Sequence, residues 1–214
     1  MACISKDPNL PIFCPDIGDS RLYRNHRLWH IDCPLWLTYG WGKAHRIARR
    51  EQPKDLRSRV DFTFGETPWP AMRRILELVE PTPETRMLEL GSGTGRFALF
   101  ASKIFGLQAE GVDMIPTFID RSNNIAQKQG LCCHFELNDL FNVPWHDASF
   151  VYVVATTFSG QSVRDLSAKS AELQPGARIV VVSHRLDGAW LERETCEVLN
   201  FSWGPSGVFF HRKL

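Results

Sequence analysis

The chain has 214 residues, of which 43% are hydrophobic and 23% are charged, and its formal net charge is +1. These values are those of an ordinary globular protein, and the length suits one α/β domain with a small appendage. No apolar run follows a basic start, and no apolar stretch approaches the roughly 18 residues that cross a bilayer, which argues against a secreted or membrane protein. Six cysteines without a secretory leader predict reduced, buried thiols and a cytoplasmic location.

Residues 1–60 differ from the rest of the chain in composition and charge. They hold 11 Lys and Arg against 6 Asp and Glu, whereas the remaining residues hold 14 against 18. Frequent Trp, His and Pro predict a loop-rich lid or substrate-recognition segment with one or two short helices, one of them over residues 44–51. The basic stretch at residues 43–59 is typical of a solvated helix face, and it also suits an acidic protein surface or nucleic acid.

From about residue 66 the pattern changes to alternating helices and apolar strands. A first helix is predicted to begin with Thr67 as its N-cap and Pro68 as its first residue. The strands that follow are predicted at residues 86–90, 108–112, 131–137, 150–155 and 177–183, and the helices between them at residues 94–105, 116–129 and 161–173. This alternation predicts a mostly parallel, doubly wound sheet.

A glycine-rich loop lies between the first predicted strand and the next helix. Its residues are Glu89, Leu90, Gly91, Ser92, Gly93, Thr94, Gly95 and Arg96. Glycines let the backbone approach a ligand closely, and the helix N-terminus offers unpaired N–H groups. A dinucleotide site would need its third glycine at position 96, where this chain has Arg. The observed order is instead typical of S-adenosylmethionine (SAM) binding, with Glu89 orienting the methionine end. The alternative is a glycine turn that binds nothing.

Two further carboxylates follow from their positions at strand ends. Asp113 ends the second strand, where an ionised acid can accept hydrogen bonds from both ribose hydroxyls of SAM. Asp139 follows the third strand and is placed to accept from the adenine amino group, with Leu140 packing on the ring. The alternative for Asp139 is a simple loop cap.

The acceptor of the methyl group is expected after the fourth strand, at Thr156, Thr157 and Phe158. The chain lacks an Asn/Asp-Pro-Pro-aromatic motif here, which argues against DNA adenine or a glutamine amide as acceptor. Thr hydroxyls or backbone carbonyls can hold an aliphatic amine, and Phe158 can line its channel. The alternative is a Thr-rich strand end that only terminates the sheet.

Several aromatic, His and Cys residues outside this core carry weaker indications. Trp36, Trp41 and Trp69 suit the entrance of an acceptor channel or ordinary packing. The spacing of His26, His30 and Cys33, with Cys3 or Cys14, matches no zinc ribbon or finger, so no metal is predicted. Adjacent Cys132 and Cys133 are interpreted as packing on a strand.

The end of the chain departs from strand–helix alternation. Runs rich in β-forming residues at 198–203 and 208–211 flank Gly204, Pro205, Ser206 and Gly207, which are typical of a hairpin turn. A parallel sheet that ends in an antiparallel hairpin distinguishes methyltransferases from plain dinucleotide-binding folds. Residues 61–214 are therefore predicted to form a Rossmann-like, seven-stranded SAM-binding domain.

Four motifs occur together in one order along the chain. They are residues 64–67 (Phe-Gly-Glu-Thr), the loop from Glu89 to Arg96, residues 156–158 (Thr-Thr-Phe), and residues 201–204 (Phe-Ser-Trp-Gly) followed by residues 208–211 (Val-Phe-Phe-His). This order resembles the Dot-type (non-SET) histone lysine methyltransferases and their small relatives, over roughly residues 61–214.

The resemblance implies SAM as cofactor and a protein lysine as acceptor. It implies that Glu66 and Thr67 lie over the methionine part of SAM, and that Arg96 stands where the family usually has Gln. It also implies that Thr156 stands where the histone enzymes carry Asn, and that Phe158 is their channel aromatic.

Methyl transfer from a sulfonium is an in-line displacement, for which positioning matters more than acid–base help. We therefore expect no essential general base, and a lysine amine that arrives deprotonated. Two alternatives are a small-molecule N- or O-methyltransferase with residues 1–60 as a lid, and a methyltransferase-like binding protein without catalysis. A monomer is expected.

Overall fold

The computed structural model of the protein describes residues 20–40, 42–53 and 64–214. Its α-helices are α1 (Ser20–Asn25), α2 (Trp29–Tyr39), α3 (Lys43–Glu51), α4 (Trp69–Val79), α5 (Arg96–Phe105), α6 (Pro116–Gln129) and α7 (Gly160–Lys169), the last followed by a 3-10 turn at Ser170–Glu172. The strands are β1 (Arg86–Leu90), β2 (Gln108–Asp113), β3 (Cys133–Leu137), β4 (Phe150–Val154), β5 (Arg178–Val182), β6 (Leu191–Phe201) and β7 (Gly204–Lys213). In this part of the chain, no helix is both long and apolar enough to cross a membrane.

The strands form one sheet in the order β3-β2-β1-β4-β5-β7-β6. Strands β1 to β5 are parallel, and β7 runs antiparallel between β5 and β6. The predicted fold class, a Rossmann-like sheet with a C-terminal antiparallel hairpin, is therefore confirmed. Because the strand order reverses between β1 and β4, a crevice opens there at the carboxyl ends of the strands, which is where α/β sheets bind ligands.

Successive side chains of the central strands enter two separate cores. On β4, Phe150 and Tyr152 pack on one face of the sheet against α2 to α6, while Val151 and Val153 pack on the other face against α7. Strands covered on both faces need apolar residues at every position, which explains why the sequence of β4 is continuously apolar rather than alternating.

Most predicted boundaries shift by one or more residues, and two of these shifts change the role of residues that the prediction named. Helix α4 begins at Trp69, with Pro68 in an extended conformation as its N-cap. Thr67 is therefore not the cap, and its hydroxyl pairs with the hydroxyl of Tyr152 instead. The hairpin turn consists of Ser202 and Trp203, because Phe201 already pairs with Gly204 and the predicted turn residues 204–207 belong to β7.

The described N-terminal residues form three helices that join the main core. Leu28, Ile31 and Leu35 are fully buried in the same cluster as α4 to α6, and Ala44 and Ala48 of α3 are buried there too. The proposed boundary at residue 60 lies outside the described residues. In the basic stretch, α3 exposes the side chains of Lys43, Arg46, Arg49 and Arg50. Residues 54–59 of this stretch lie outside the described residues.

The cysteines differ in part from the expected buried thiols. All four that the structure describes are free, but Cys33, Cys132 and Cys196 are exposed. Cys133 is the half-buried exception, and burial raises the pKa of its thiol to about 12. The described residues contain no group of three or more His, Cys, Asp or Glu that could hold a metal ion.

Candidate cofactor and acceptor site

The glycine-rich loop leaves β1 and turns into α5 at the crevice of the sheet. The N–H groups of Gly91 and Ser92 both donate to the carbonyl of Val112, at 2.8 and 2.9 Å. Gly91, Gly93 and Gly95 have φ angles of 70°, 53° and 71°, in the left-handed region that side chains other than glycine disfavour. The loop therefore needs glycine at these three positions for its shape.

The three glycines differ in what surrounds them. A Cβ at Gly91 would meet no protein atom within 4 Å, and Gly91 lines an open cavity. A Cβ at Gly93 would lie 3.2 Å from the ring of Phe64. A Cβ at Gly95 would lie 2.6 Å from both Phe135 and the hydroxyl of Ser122. Gly95 is absent from the cavity lining, so its role is the close packing of α5 against the sheet.

Glu89 joins the loop to the helix that follows it. Its side chain is buried, and Oε2 accepts the N–H of Ala98 in the first turn of α5 at 3.0 Å. Burial raises the pKa of the Glu89 carboxyl to about 8, and the nearby Asp113 and Glu66 charges add to this, while the Ala98 N–H opposes it. Glu89 lines the cavity and can therefore gain negative charge when a cationic ligand enters.

Asp113 is held rigidly at the end of β2. Its two carboxylate oxygens accept the N–H groups of Gly93 at 2.7 Å and Ile115 at 2.9 Å. Burial raises the pKa of Asp113, and these backbone N–H groups counteract the rise. Each carboxylate oxygen has a second lone pair, so the geometry suits a carboxylate that also receives the hydroxyls of a ribose.

Residues 66 and 67 contact the glycine-rich loop and strand β4. Glu66 is buried, its Oε1 accepts the hydroxyl of Thr94 at 2.8 Å, and its N–H donates to Ser202 Oγ at 3.2 Å. The Thr67 hydroxyl lies 2.7 Å from the hydroxyl of Tyr152 on β4. These contacts attach the segment to the loop, to the hairpin turn and to the sheet, with Glu66 and Thr67 in the cavity lining.

Asp139 and Leu140 follow β3 and also line the cavity. Asp139 Oδ1 accepts the N–H of Phe141 at 2.9 Å, which is the local turn that the loop-cap alternative describes. Since Asp139 both caps this turn and faces the cavity, the two interpretations of this residue are compatible. Leu140 and Phe141 provide apolar surface beside it.

The three predicted acceptor residues, Thr156, Thr157 and Phe158, do not all face the cavity. Thr157 and Phe158 line the cavity. Thr156 is exposed, its hydroxyl lies 2.8 Å from the hydroxyl of Ser183, and it is not in the lining. The candidate acceptor wall therefore consists of Thr157 and Phe158, without Thr156.

Several lining residues were not among those predicted from the sequence. They are Ala48, Phe64, Gly65, Met72, Leu90, Thr94, Phe97, Val112, Met114, Ile115, Phe118, Asn138, Phe141, Val154 and Ser162. Met114 and Phe141 directly follow predicted binding residues, which is a usable sequence signal. Ala48 and Phe118 carry none, because only the packing of α3 and α6 brings them to the cavity.

The predicted entrance aromatics have different positions. Trp69 is buried, Trp36 is exposed on α2, and Trp41 lies outside the described residues. None of the described lining residues is a tryptophan. Trp69 instead contacts Arg96, whose guanidinium carbon lies 3.9 Å from the centre of the indole ring.

The charge of the cavity fits the cofactor predicted from the loop. Four acids line it, namely Glu66, Glu89, Asp113 and Asp139, and the basic residue among its described lining residues is Arg96. The buried Ser92 hydroxyl, also in the lining, has no hydrogen-bond partner among the residues that the structure describes. SAM brings a sulfonium and an ammonium, and its hydroxyls and carboxylate suit the polar groups. Acids, glycines and this unpaired hydroxyl are therefore consistent with SAM.

The fold and this cavity define a class I, SAM-dependent methyltransferase domain. A family described as a methyltransferase domain matches residues 81–203, which is more than half of the chain, and the chain belongs to that family. SAM is the methyl donor of this family.

Two curated relatives illustrate the range of acceptors. Norajmaline N-methyltransferase of Rauvolfia serpentina is 31% identical over 104 residues, covering 46% of this chain and 35% of the relative. Ribosomal protein L11 methyltransferase of Ralstonia pickettii is 28% identical over 173 residues, covering 79% of this chain and 53% of the relative. The chain thus spans between about a third and a half of the length of these relatives.

Solved structures share the fold. An RNA methyltransferase from Salinibacter ruber in complex with S-adenosyl-L-homocysteine has a TM-score of 0.58 at 24% identity, over 68% of this chain and 91% of that chain. TrmN from Thermus thermophilus has a TM-score of 0.59 at 19% identity, over 67% of this chain and 48% of that chain. At these identities the similarity establishes the architecture alone.

Proposed function

We propose that this protein transfers the methyl group of SAM to the side-chain amine of a protein lysine. The observation that carries the proposal is one cavity that joins a carboxylate-lined cofactor site to an acceptor wall at Thr157 and Phe158. The resemblance to the Dot-type enzymes supports a lysine acceptor, and the similarity to a ribosomal protein methyltransferase supports a protein as the acceptor.

The residues of the cofactor side have separate tasks. Asp113 would hold the ribose, and Asp139 with Leu140 would hold the adenine. Glu66, Glu89 and the loop backbone from Gly91 to Gly93 would surround the methionine part. There the carboxylate of Glu66, and that of Glu89 once it ionises, would favour the cationic groups of SAM. When bound, SAM supplies an electrophilic methyl group on a sulfonium.

The acceptor side needs an amine with a free lone pair. Thr156, Thr157, Phe158 and Ser159 have no titratable side chain, so we assign no general base to this segment. Loss of water around the amine, in the partly apolar part of the cavity that Phe158 lines, would disfavour the charged ammonium and promote loss of its proton before transfer. The Thr157 hydroxyl can then accept a hydrogen bond from the neutral amine and fix its orientation for in-line attack.

A small-molecule amine is the second candidate acceptor. Ala48 lines the cavity, so α3 contributes to its wall as a lid over a small substrate would. Similarity to norajmaline N-methyltransferase agrees with an N-methylation of this kind.

SAM binding measured by calorimetry tests the proposal first. Asp113→Ala should abolish binding, whereas Asp120→Ala, a change at an exposed carboxylate of α6 outside the cavity, should leave it intact. Transfer of tritiated methyl groups to a protein extract, followed by acid hydrolysis, should release methylated lysine. Label found in the small-molecule fraction instead would favour the second candidate, and a folded wild-type protein that binds no SAM would contradict both.

A further inference from the structure

Helix α2 contacts the glycine-rich loop through a buried cluster of three side chains, Asp32, Trp69 and Arg96. All three are at most 7% exposed. They come from α2, α4 and α5, which are far apart in the sequence. The cluster therefore links α2 to Arg96, the last residue of the glycine-rich loop and the first residue of α5.

Asp32 shares its two carboxylate oxygens between the other members. Oδ1 accepts from Nε of Arg96 at 3.2 Å and lies at the same distance from Nη2. Oδ2 accepts the indole N–H of Trp69 at 2.9 Å. The Arg96 guanidinium also lies over the indole ring, 3.9 Å from its centre. An ion pair and a cation–π contact thus restrain one side chain from two directions.

Arg96 is well placed to complement the charge of the cofactor. It is the first residue of α5, and it is the one basic side chain among the described residues that line the cavity, against four acids. Those acids suit the sulfonium and ammonium of SAM, but they repel its carboxylate. The carboxylate needs a cation or helix N–H groups, and the first turn of α5 offers both.

We propose that Arg96 binds the carboxylate of the methionine part of SAM, and that Asp32 and Trp69 are positioning residues that hold Arg96 for this task. The inference rests on SAM as the cofactor and extends the site to a helix that the sequence placed in a separate lid. Removal of Asp32 would take away part of the charge compensation and of the orientation of this buried arginine. The N-terminal helices are thereby part of the cofactor site.

Two ligands distinguish a role of Asp32 in positioning Arg96 from a general loss of structure at the cofactor site. S-adenosylhomocysteine carries the methionine-derived carboxylate, whereas 5′-methylthioadenosine keeps the adenosine and the thioether but lacks the amino acid part. Affinities are measured by calorimetry for the wild type, Asp32→Asn, Arg96→Gln and the double variant, with Asp120→Asn as the surface control. Thermal melting confirms that each variant is folded.

We expect Asp32→Asn to weaken S-adenosylhomocysteine binding by about tenfold to a hundredfold, the range for a hydrogen bond to a charged group. Binding of 5′-methylthioadenosine should change by less than about twofold, because it does not contact Arg96. Arg96→Gln should give the same pattern, and the double variant should lose no more than Arg96→Gln alone, since Asp32 acts through Arg96. Asp120→Asn should match the wild type.

An equal loss for both ligands in Asp32→Asn would overturn the inference, since Asp32 would then only support the general structure. Additive losses in the double variant would also overturn it. If Asp32→Asn does not fold, Trp69→Phe replaces it, because it removes the indole N–H with part of the indole ring but keeps an aromatic ring beside Arg96, and it should weaken S-adenosylhomocysteine selectively by a few fold. If the wild type binds 5′-methylthioadenosine as tightly as S-adenosylhomocysteine, the amino acid part adds no affinity. That result would refute the role of Arg96 but keep the adenosine site. Binding of neither ligand would refute the proposed cofactor itself.

Discussion

The hydroxyls of Thr67 and Tyr152 lie 2.7 Å apart in the buried interior, between the segment at residues 64–67 and strand β4. This hydrogen bond therefore attaches the segment at residues 64–67 to the strand that leads to the candidate acceptor wall. Any change to this hydrogen bond is expected to affect the segment that contributes Glu66 to the cavity.

Tyr152→Phe tests this attachment. The variant leaves the Thr67 hydroxyl without its buried partner, which should lower the free energy of unfolding by about 1–2 kcal/mol. We expect SAM affinity to fall a few fold because the segment at residues 64–67 loosens. Tyr39→Phe is the control, since it removes a hydroxyl that bonds to Thr117 instead. Urea unfolding and calorimetry measure the two effects. Equal SAM affinities in both variants would contradict the link.

Three glycines with nearly the same φ angle allow strain, packing and ligand access to be separated. Gly91, Gly95 and Gly106 have φ of 70°, 71° and 70°. Gly106→Ala should cost about 1–2 kcal/mol from backbone strain alone, since its Cβ would meet no atom within 4 Å. Gly95→Ala should cost about 1–3 kcal/mol more, because its Cβ would clash with Phe135.

Gly91→Ala should resemble Gly106→Ala in stability but not in binding. Its Cβ also meets no protein atom, yet Gly91 lines the cavity. We expect SAM binding to weaken by at least about tenfold, which corresponds to 1.4 kcal/mol. Denaturant unfolding and calorimetry on the three variants provide the comparison. Normal SAM affinity in Gly91→Ala would show that the cofactor does not approach the loop at this glycine.

The raised pKa of Glu89 predicts a pH dependence of stability. The carboxyl titrates near its ordinary value of 4.5 in the unfolded chain and at about 8 in the folded protein. Between these values the folded state binds more protons, so the contribution of Glu89 to stability should fall as pH rises from about 4.5 to about 8, and then level off. Glu89→Gln should remove this contribution, because Gln keeps an acceptor for the Ala98 N–H. Urea unfolding at several pH values measures the difference. If the free energy of unfolding changes with pH in the same way in the wild type and in Glu89→Gln, the predicted contribution of Glu89 is wrong.

The titration of Glu89 should affect SAM affinity in the opposite direction to its effect on stability. A cationic ligand favours the ionised Glu89, so SAM affinity should increase as pH rises toward 8, with release of a proton. Calorimetry in buffers of different ionisation enthalpy detects the proton. No proton release in the wild type would mean that Glu89 keeps one protonation state throughout.

The acceptor wall predicts different effects for neighbouring threonines. Thr157→Val should lower kcat/KM by about tenfold or more, because Thr157 lines the cavity and its hydroxyl has the proposed role of orienting the acceptor. Thr156→Val should have a smaller effect, since its hydroxyl contacts Ser183 outside the lining. SAM affinity, measured alongside, should be similar in both. A larger loss in Thr156→Val would place the acceptor on the other side of this strand end.

The sequence by itself determined the class of fold and the order of the main elements. Strand β1 and helix α6 have the predicted bounds, because apolar runs between turn residues and the 3.6-residue period are local features of the chain. The glycine loop and Asp113 could be recognised for the same reason, since each stands at a fixed place relative to a strand end.

Only the tertiary structure decided which of several adjacent residues form the hairpin turn and which one caps α4. The hairpin turn lies at Ser202 and Trp203 because Trp203 packs on Gly65, where a Cβ would lie 2.6 Å from its ring, and Ser202 accepts the N–H of Glu66. Local sequence indicated Gly204 to Gly207 instead. Likewise, Thr67 pairs with Tyr152 rather than capping α4. In each case a contact across the fold outweighed a local preference.

The ion pair of Asp32 and Arg96 could not be predicted from the sequence. The two residues are 64 positions apart, and a lone Asp in an apolar helix shows no partner. Local patterns report which face of an element is buried, but not which buried charges meet across the core. Packing of α2 against α5 determined that meeting, and with it the charge that the cavity presents to its cofactor.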